Sequence, residues 1–99
     1  MKIKIYDSAK TDYMKIRATL LNYDNIPANK FRKTYMKFQS NVKRMPEMYP
    51  VCEYNPMFRT AVLIYDYIVF YKVDETTSSI NVFRILHGNR NIIEILKYT

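Results

Sequence analysis

Five basic residues sit on or next to a run of three expected strands: Arg59, Lys72, Arg84, His87 and Arg90. Together they could cleave RNA without a metal. The ribose 2′-OH would attack the adjacent phosphate in line. That step needs a base for the hydroxyl, an acid for the leaving oxygen and cations for the charge that builds on phosphate. His87 titrates nearest neutrality and suits the acid or base role. Arg59, Arg84 and Arg90 can grip a phosphate through two N–H groups each, with Lys72 adding a point charge. Tyr71 or Tyr98 offers a ring for base stacking. The competing reading is purely structural: His87 caps a strand end, and the arginines pair with Asp66, Asp74 or Glu94.

Other chemistries are excluded by composition. A chain with one glycine cannot form a glycine-rich phosphate loop or a dinucleotide fingerprint. One histidine and one cysteine without close spacing argue against structural zinc. There is no Gly-x-Ser-x-Gly elbow, and a Ser–His–Asp triad would have to use His87 with no supporting motif. No cofactor is therefore expected.

The elements that position the basic residues are readable from periodicity. Residues 59–64 form an apolar, β-branched run, Tyr65 and Asp66 a turn, and residues 67–73 a second run. In the second run Tyr67, Val69, Tyr71 and Val73 point one way and Ile68, Phe70 and Lys72 the other. Both faces are largely apolar, as expected for a central strand covered on both sides. A polar loop, Asp74 to Ser79, leads into a third run over residues 80–86. Gly88 follows His87 directly, and it can take a positive φ or admit a second backbone, so a sharp turn should aim His87 and Arg90.

Upstream, Lys2 to Tyr6 alternates, with Ile3 and Ile5 inward, and reads as an edge strand. A helix is expected from Ala9 to Asn22, capped by Asp7 or Ser8, with Tyr13, Ile16 and Leu20 marking one face and Leu21 beside it. A second helix opens near Pro27 and carries Phe31, Tyr35, Phe38, Val42 and Met45 on one stripe. The short link predicts an antiparallel helical hairpin. Pro46 ends the second helix, and residues 46–57, with three prolines, cross as an irregular loop. The segment from Asn91 to Tyr98 reads as a short helix or a final strand-like segment, with helix favoured. The expected fold is α+β: one domain over residues 1–99, with an N-terminal strand and a helical hairpin packed on a small antiparallel sheet.

Charge is unevenly spread. Residues 1–46 hold 11 Lys/Arg against 3 Asp/Glu, a net +8, and the remainder is −1, for +7 in all. A basic half implies an anionic partner, either nucleic acid or an acidic protein segment. A single cysteine and the lack of any apolar run near 20 residues fit a cytoplasmic protein without a membrane span.

The strand YIVFYKVDE followed by VFRILHGNRN resembles the RelE/ParE family of toxins from bacterial type II toxin–antitoxin systems. Ala9 and Asp12 are similar to the family's Ala-x-x-Asp at the first helix, Pro46 to its proline after the second, and Arg59 to the arginine that opens the sheet. Asn91 departs from the usual aspartate. The resemblance implies a growth-arresting toxin neutralised by a cognate antitoxin with an acidic C-terminal region, which would cover apolar surface of the central strand and neutralise the lysines. It also implies one of two targets. The RelE-like branch cuts mRNA on the ribosome, and His87, Arg84 and Arg90 would then be catalytic. The ParE-like branch poisons DNA gyrase and is not a nuclease. The ending His87-Gly88-Asn89-Arg90, and a segment from Pro46 to Phe58 without Lys or Arg, are closer to the ParE-like branch.

Overall fold

The computed structural model describes residues 1–97. In chain order the elements are β1 (Lys2–Ile5), α1 (Asp7–Leu21), α2 (Asn25–Arg44), β2 (Arg59–Val62), β3 (Tyr67–Asp74), β4 (Ser79–His87) and α3 (Ile92–Lys97). The sheet runs β1-β4-β3-β2. β2, β3 and β4 form the expected antiparallel meander. β1 lies parallel to β4, pairing Ile3 with Ile80 and Ile5 with Val82, so the sheet is mixed rather than wholly antiparallel. Tight turns dictate antiparallel pairing. No turn joins β1 to β4, so nothing local sets their relative direction.

Turn chemistry explains the meander. Tyr65 and Asp66 both take positive φ, 63° and 61°. Val62 pairs with Ile68 and the Leu63 N–H donates to the Tyr67 carbonyl, so Ile64, Tyr65 and Asp66 form a three-residue hairpin loop whose last two residues are left-handed. Asp74 Oδ1 accepts from the Thr76 and Thr77 N–H groups at 3.0 and 3.3 Å and closes the next turn. Opposite Phe70 and Tyr71 the β4 partners are Arg84 and Val82, so Phe83 is an extra, bulged residue.

Each face of β3 buries a different cluster. Toward the helices, Val69 and Tyr71 pack with Phe31, Phe38 and Val42 of α2 and with Ile16 and Leu20 of α1. On the other face, Phe70 and Leu86 pack with Cys52 and Phe58 of the crossing loop and with Ile92 and Leu96 of α3. The alternation along β3 thus holds, and α3 is a helix as expected. The chain itself covers most of both faces of β3, although Ile68 and Phe70 also line an open cleft of about 310 Å³ beside Val51, Tyr54 and Val62. The Tyr71 hydroxyl donates to the Pro46 carbonyl at 2.9 Å, and burial pushes its pKa up to about 12.

Several boundary expectations change. α1 starts at Asp7, with Tyr6 as its uncapped N-terminal residue, because Asp7 and Ser8 are already helical and Ser8 is used elsewhere. α2 is capped by Asp24, whose side chain accepts from the Asn25 N–H at 2.6 Å. Leu21 and Met45 stand 45% and 53% exposed, at helix ends that have run past the sheet. Among the described residues no helix is long and apolar enough to cross a membrane.

Candidate functional site

β4 is longer than β1. Where β1 stops, at Ile5, the outer edge of β4 still has N–H and C=O groups to satisfy. α1 takes over that edge. The Tyr6 N–H donates to the Val82 carbonyl at 2.9 Å, and the Ser8 hydroxyl donates to the Phe83 carbonyl at 2.6 Å. One turn further on, Asp12 Oδ2 accepts from the Ile85 N–H at 2.9 Å. The same carboxylate receives Arg84 in bidentate fashion, Nε to Oδ2 at 2.7 Å and Nη2 to Oδ1 at 3.0 Å. Ala9, fully buried, has the small side chain this close approach of helix to strand needs.

Arg84 is therefore committed to Asp12, not to Asp66, Asp74 or Glu94. Two more of the five basic residues have internal partners. Arg59 Nη1 donates to the Tyr49 carbonyl at 2.8 Å and the Glu47 carbonyl at 3.3 Å, tying the crossing loop to β2. Lys72 sits on the α3 face, its ammonium 4.5 Å from the Phe58 ring centroid and 4.9 Å from that of Phe83. A cation over two rings is held by their quadrupoles. Arg59 and Lys72, two strand positions that face opposite ways, cannot converge on one phosphate. Tyr71 is fully buried and cannot stack on a base. Tyr98 lies outside the described residues.

His87 and Arg90 do come together. With Asp12, Lys15, Thr19 and Tyr67 they line a small cleft of about 170 Å³ between α1 and the end of β4. The His87 ring meets Tyr67 edge-on at 5.2 Å. Its Nδ1 accepts from the Asn89 N–H at 3.1 Å, so the neutral ring carries its proton on Nε2. The Arg90 N–H donates to the His87 carbonyl at 3.0 Å, completing the turn. Gly88 has no positive φ, and a Cβ there would stand 3.5 Å from the Asp66 carbonyl oxygen, an ordinary contact. The turn is made by hydrogen bonds, among them Gly88 N–H to Asp66 O at 2.9 Å, and does not require glycine.

The cleft gathers an imidazole, a guanidinium and an ammonium beside a carboxylate that is already satisfied. Lys15 and Thr19 were not singled out from sequence. They follow Asp12 by three and seven residues, so helical spacing alone places them on its face of α1.

Comparison with known proteins supplies the setting for this geometry. The family model described as ParE toxin of type II toxin-antitoxin system, parDE, matches residues 3–92. A solved structure, of the chromosomal ParDE TA system from P. aeruginosa, superposes with a TM-score of 0.72 at 18% identity. The match covers 88% of this chain and 95% of that one. No curated protein sequence matches the chain.

Proposed function

The chain belongs to the ParE toxin family of type II toxin–antitoxin systems, and from that premise we propose that it arrests growth by binding and inhibiting DNA gyrase rather than by cutting mRNA. The observation that carries this reading is the commitment of Arg84 to Asp12, two charge-assisted bonds in the partly buried helix–sheet junction. A nuclease needs that guanidinium free to meet developing phosphate charge. With Arg59 and Lys72 also engaged, only His87 and Arg90 of the five face a common space. Two such groups, with Lys15, suit a binding contact on a protein target better than a complete set of acid, base and phosphate clamps.

Neutralisation falls to a cognate antitoxin, and its acidic C-terminal region has a fitting place elsewhere than on β3. Ile5, Tyr13, Met14, Tyr35 and Met36 line a groove of about 480 Å³ beside α1 and α2, with Lys10 and Arg32 at its rim. An apolar floor with cations on both sides matches a segment that mixes apolar and acidic residues. Binding there should weaken with added salt without vanishing, because screening removes only the charged part.

The test pairs gyrase supercoiling with ribosome-dependent mRNA cleavage, for the wild type and His87→Ala. A gyrase inhibitor should stop supercoiling, cut no mRNA and keep most of its potency in the variant. Codon-level mRNA cuts by the wild type, reduced roughly 100-fold in the variant as for loss of a general acid or base, would establish the nuclease instead.

A further inference from the structure

α2 contains six Lys/Arg and not one Asp or Glu. Four of the six, Lys30, Lys33, Lys37 and Arg44, follow one another at spacings of three, four and seven residues. These are helical repeats, so the four share one face. All four are exposed, while the stripe of Phe31, Tyr35, Phe38 and Val42 is buried on the far side of the helix. Among the described residues the only ion pairs are Arg84–Asp12 and Lys97–Glu94, so this row has no carboxylate partner. At 1.5 Å per residue, 14 residues make the row about 21 Å long.

We propose that this face of α2 is a binding site for the phosphate backbone of duplex DNA. Charge complementarity identifies a polyanion, and the composition of the face selects which one. An acidic protein segment gains most of its affinity from apolar burial, and from Lys30 to Arg44 the outward side of α2 offers only Met36 for that. The apolar groove lies at the α1 side. Beside the row instead is the exposed Ser40, a short hydrogen-bonding side chain of the kind that contacts phosphate oxygens. Single-stranded nucleic acid calls for aromatic platforms between the cations, and this face has none. A straight, rigid row about 21 Å long spans roughly six base pairs at 3.4 Å of axis per step, so it can follow one groove edge of a duplex. The contact is to backbone alone and reads no sequence. It is separate from the His87–Arg90 cleft, and it neither requires gyrase inhibition nor follows from it.

Fluorescence anisotropy of the full-length toxin with a 20-base-pair duplex of arbitrary sequence tests the site. Four phosphate contacts give a slope of about −3.6 in log affinity against log salt, hence roughly 100-fold weaker binding at 200 mM than at 50 mM. The triple variant Lys30→Glu/Lys33→Glu/Lys37→Glu should abolish binding. The neutral triple change to Gln, which keeps length and exposure, should flatten the slope to about −1. Both variants keep the buried stripe, so circular dichroism should be unchanged. Undiminished duplex binding by either triple variant would overturn the proposal. So would equal or tighter binding of the single-stranded 20-mer, or of a poly-glutamate peptide. Loss of DNA binding with gyrase inhibition retained would separate this site from the inhibitory one.

Discussion

The two faces of β3 are built by different means. The helix face is assembled from elements with long periodic patterns, α1 and α2, and centres on Phe31, Phe38, Tyr71 and Val69, all essentially inaccessible to solvent. The α3 face is closed by pieces that are weak on their own: an irregular loop supplying Cys52 and Phe58, and a six-residue helix supplying Ile92 and Leu96. A helix so short is marginal without tertiary contacts. The difference teaches that one side of the sheet carries the fold while the other is a cover held by a few side chains.

That contrast can be broken by truncation on each side. Phe38→Ala should cost most, about 3–5 kcal/mol, because its ring meets Tyr35, Tyr49 and Tyr71. Urea unfolding measures it, and a variant as stable as wild type would show that the stripe of α2 is not the centre of the core. Asp12→Ala should come next, at about 2–3 kcal/mol, since it leaves both Arg84 and the Ile85 N–H without an acceptor. It should also loosen amide exchange at Ile85, whereas a loss confined to global stability would mean that α1 does not hold that edge. Leu96→Ala should cost about 2 kcal/mol, with exchange quickened in α3 and little change in α1 and α2. Equal quickening on both sides would erase the distinction between carrier and cover.

The smallest effect concerns Tyr71. Tyr71→Phe removes the hydrogen bond to the Pro46 carbonyl and should cost about 1 kcal/mol. In the wild type the folded phenol holds its proton to about 12 against an ordinary 10. The folded state therefore binds more protons than the unfolded one between those values. This share of stability is complete below pH 10 and lost as pH rises through that window. Melting temperature followed from pH 9 to 12 should fall more steeply for wild type than for Tyr71→Phe, and parallel curves would contradict the assignment.

The legible parts of the molecule were those fixed by local repeats. Alternation along Tyr67 to Val73 exposed both covered faces, and the spacing of Phe31, Tyr35, Phe38 and Val42 exposed the helix side. Tyr65-Asp66 read correctly as a turn because Asp is a turn residue that tolerates positive φ, although Tyr65 takes it too. The site was harder to see. Arg84 and Asp12 stand 72 residues apart, and no local pattern links them. Cations in sequence announce charge but not what neutralises it, so Arg59, Arg84 and Lys72 looked available when main-chain carbonyls, a carboxylate and two aromatic rings already hold them. The same limit concealed the parallel partner of β1, which depends on the path of the whole hairpin.

The placement of β1 beside β4 also has a consequence in time. Ser8 and Phe83 are bonded across 75 residues of chain, and among the described residues β1 has no other strand neighbour. At 5–20 residues per second, a ribosome needs about 4–15 s to reach β4 after making β1. Through that interval the first strand waits unpaired, and the helical hairpin has no sheet to rest on. Closing so long a loop is also the slow kind of contact. The nascent chain therefore completes its sheet only once β4 has been made, which leaves an antitoxin made beforehand an interval in which to meet a chain that has not yet become dangerous.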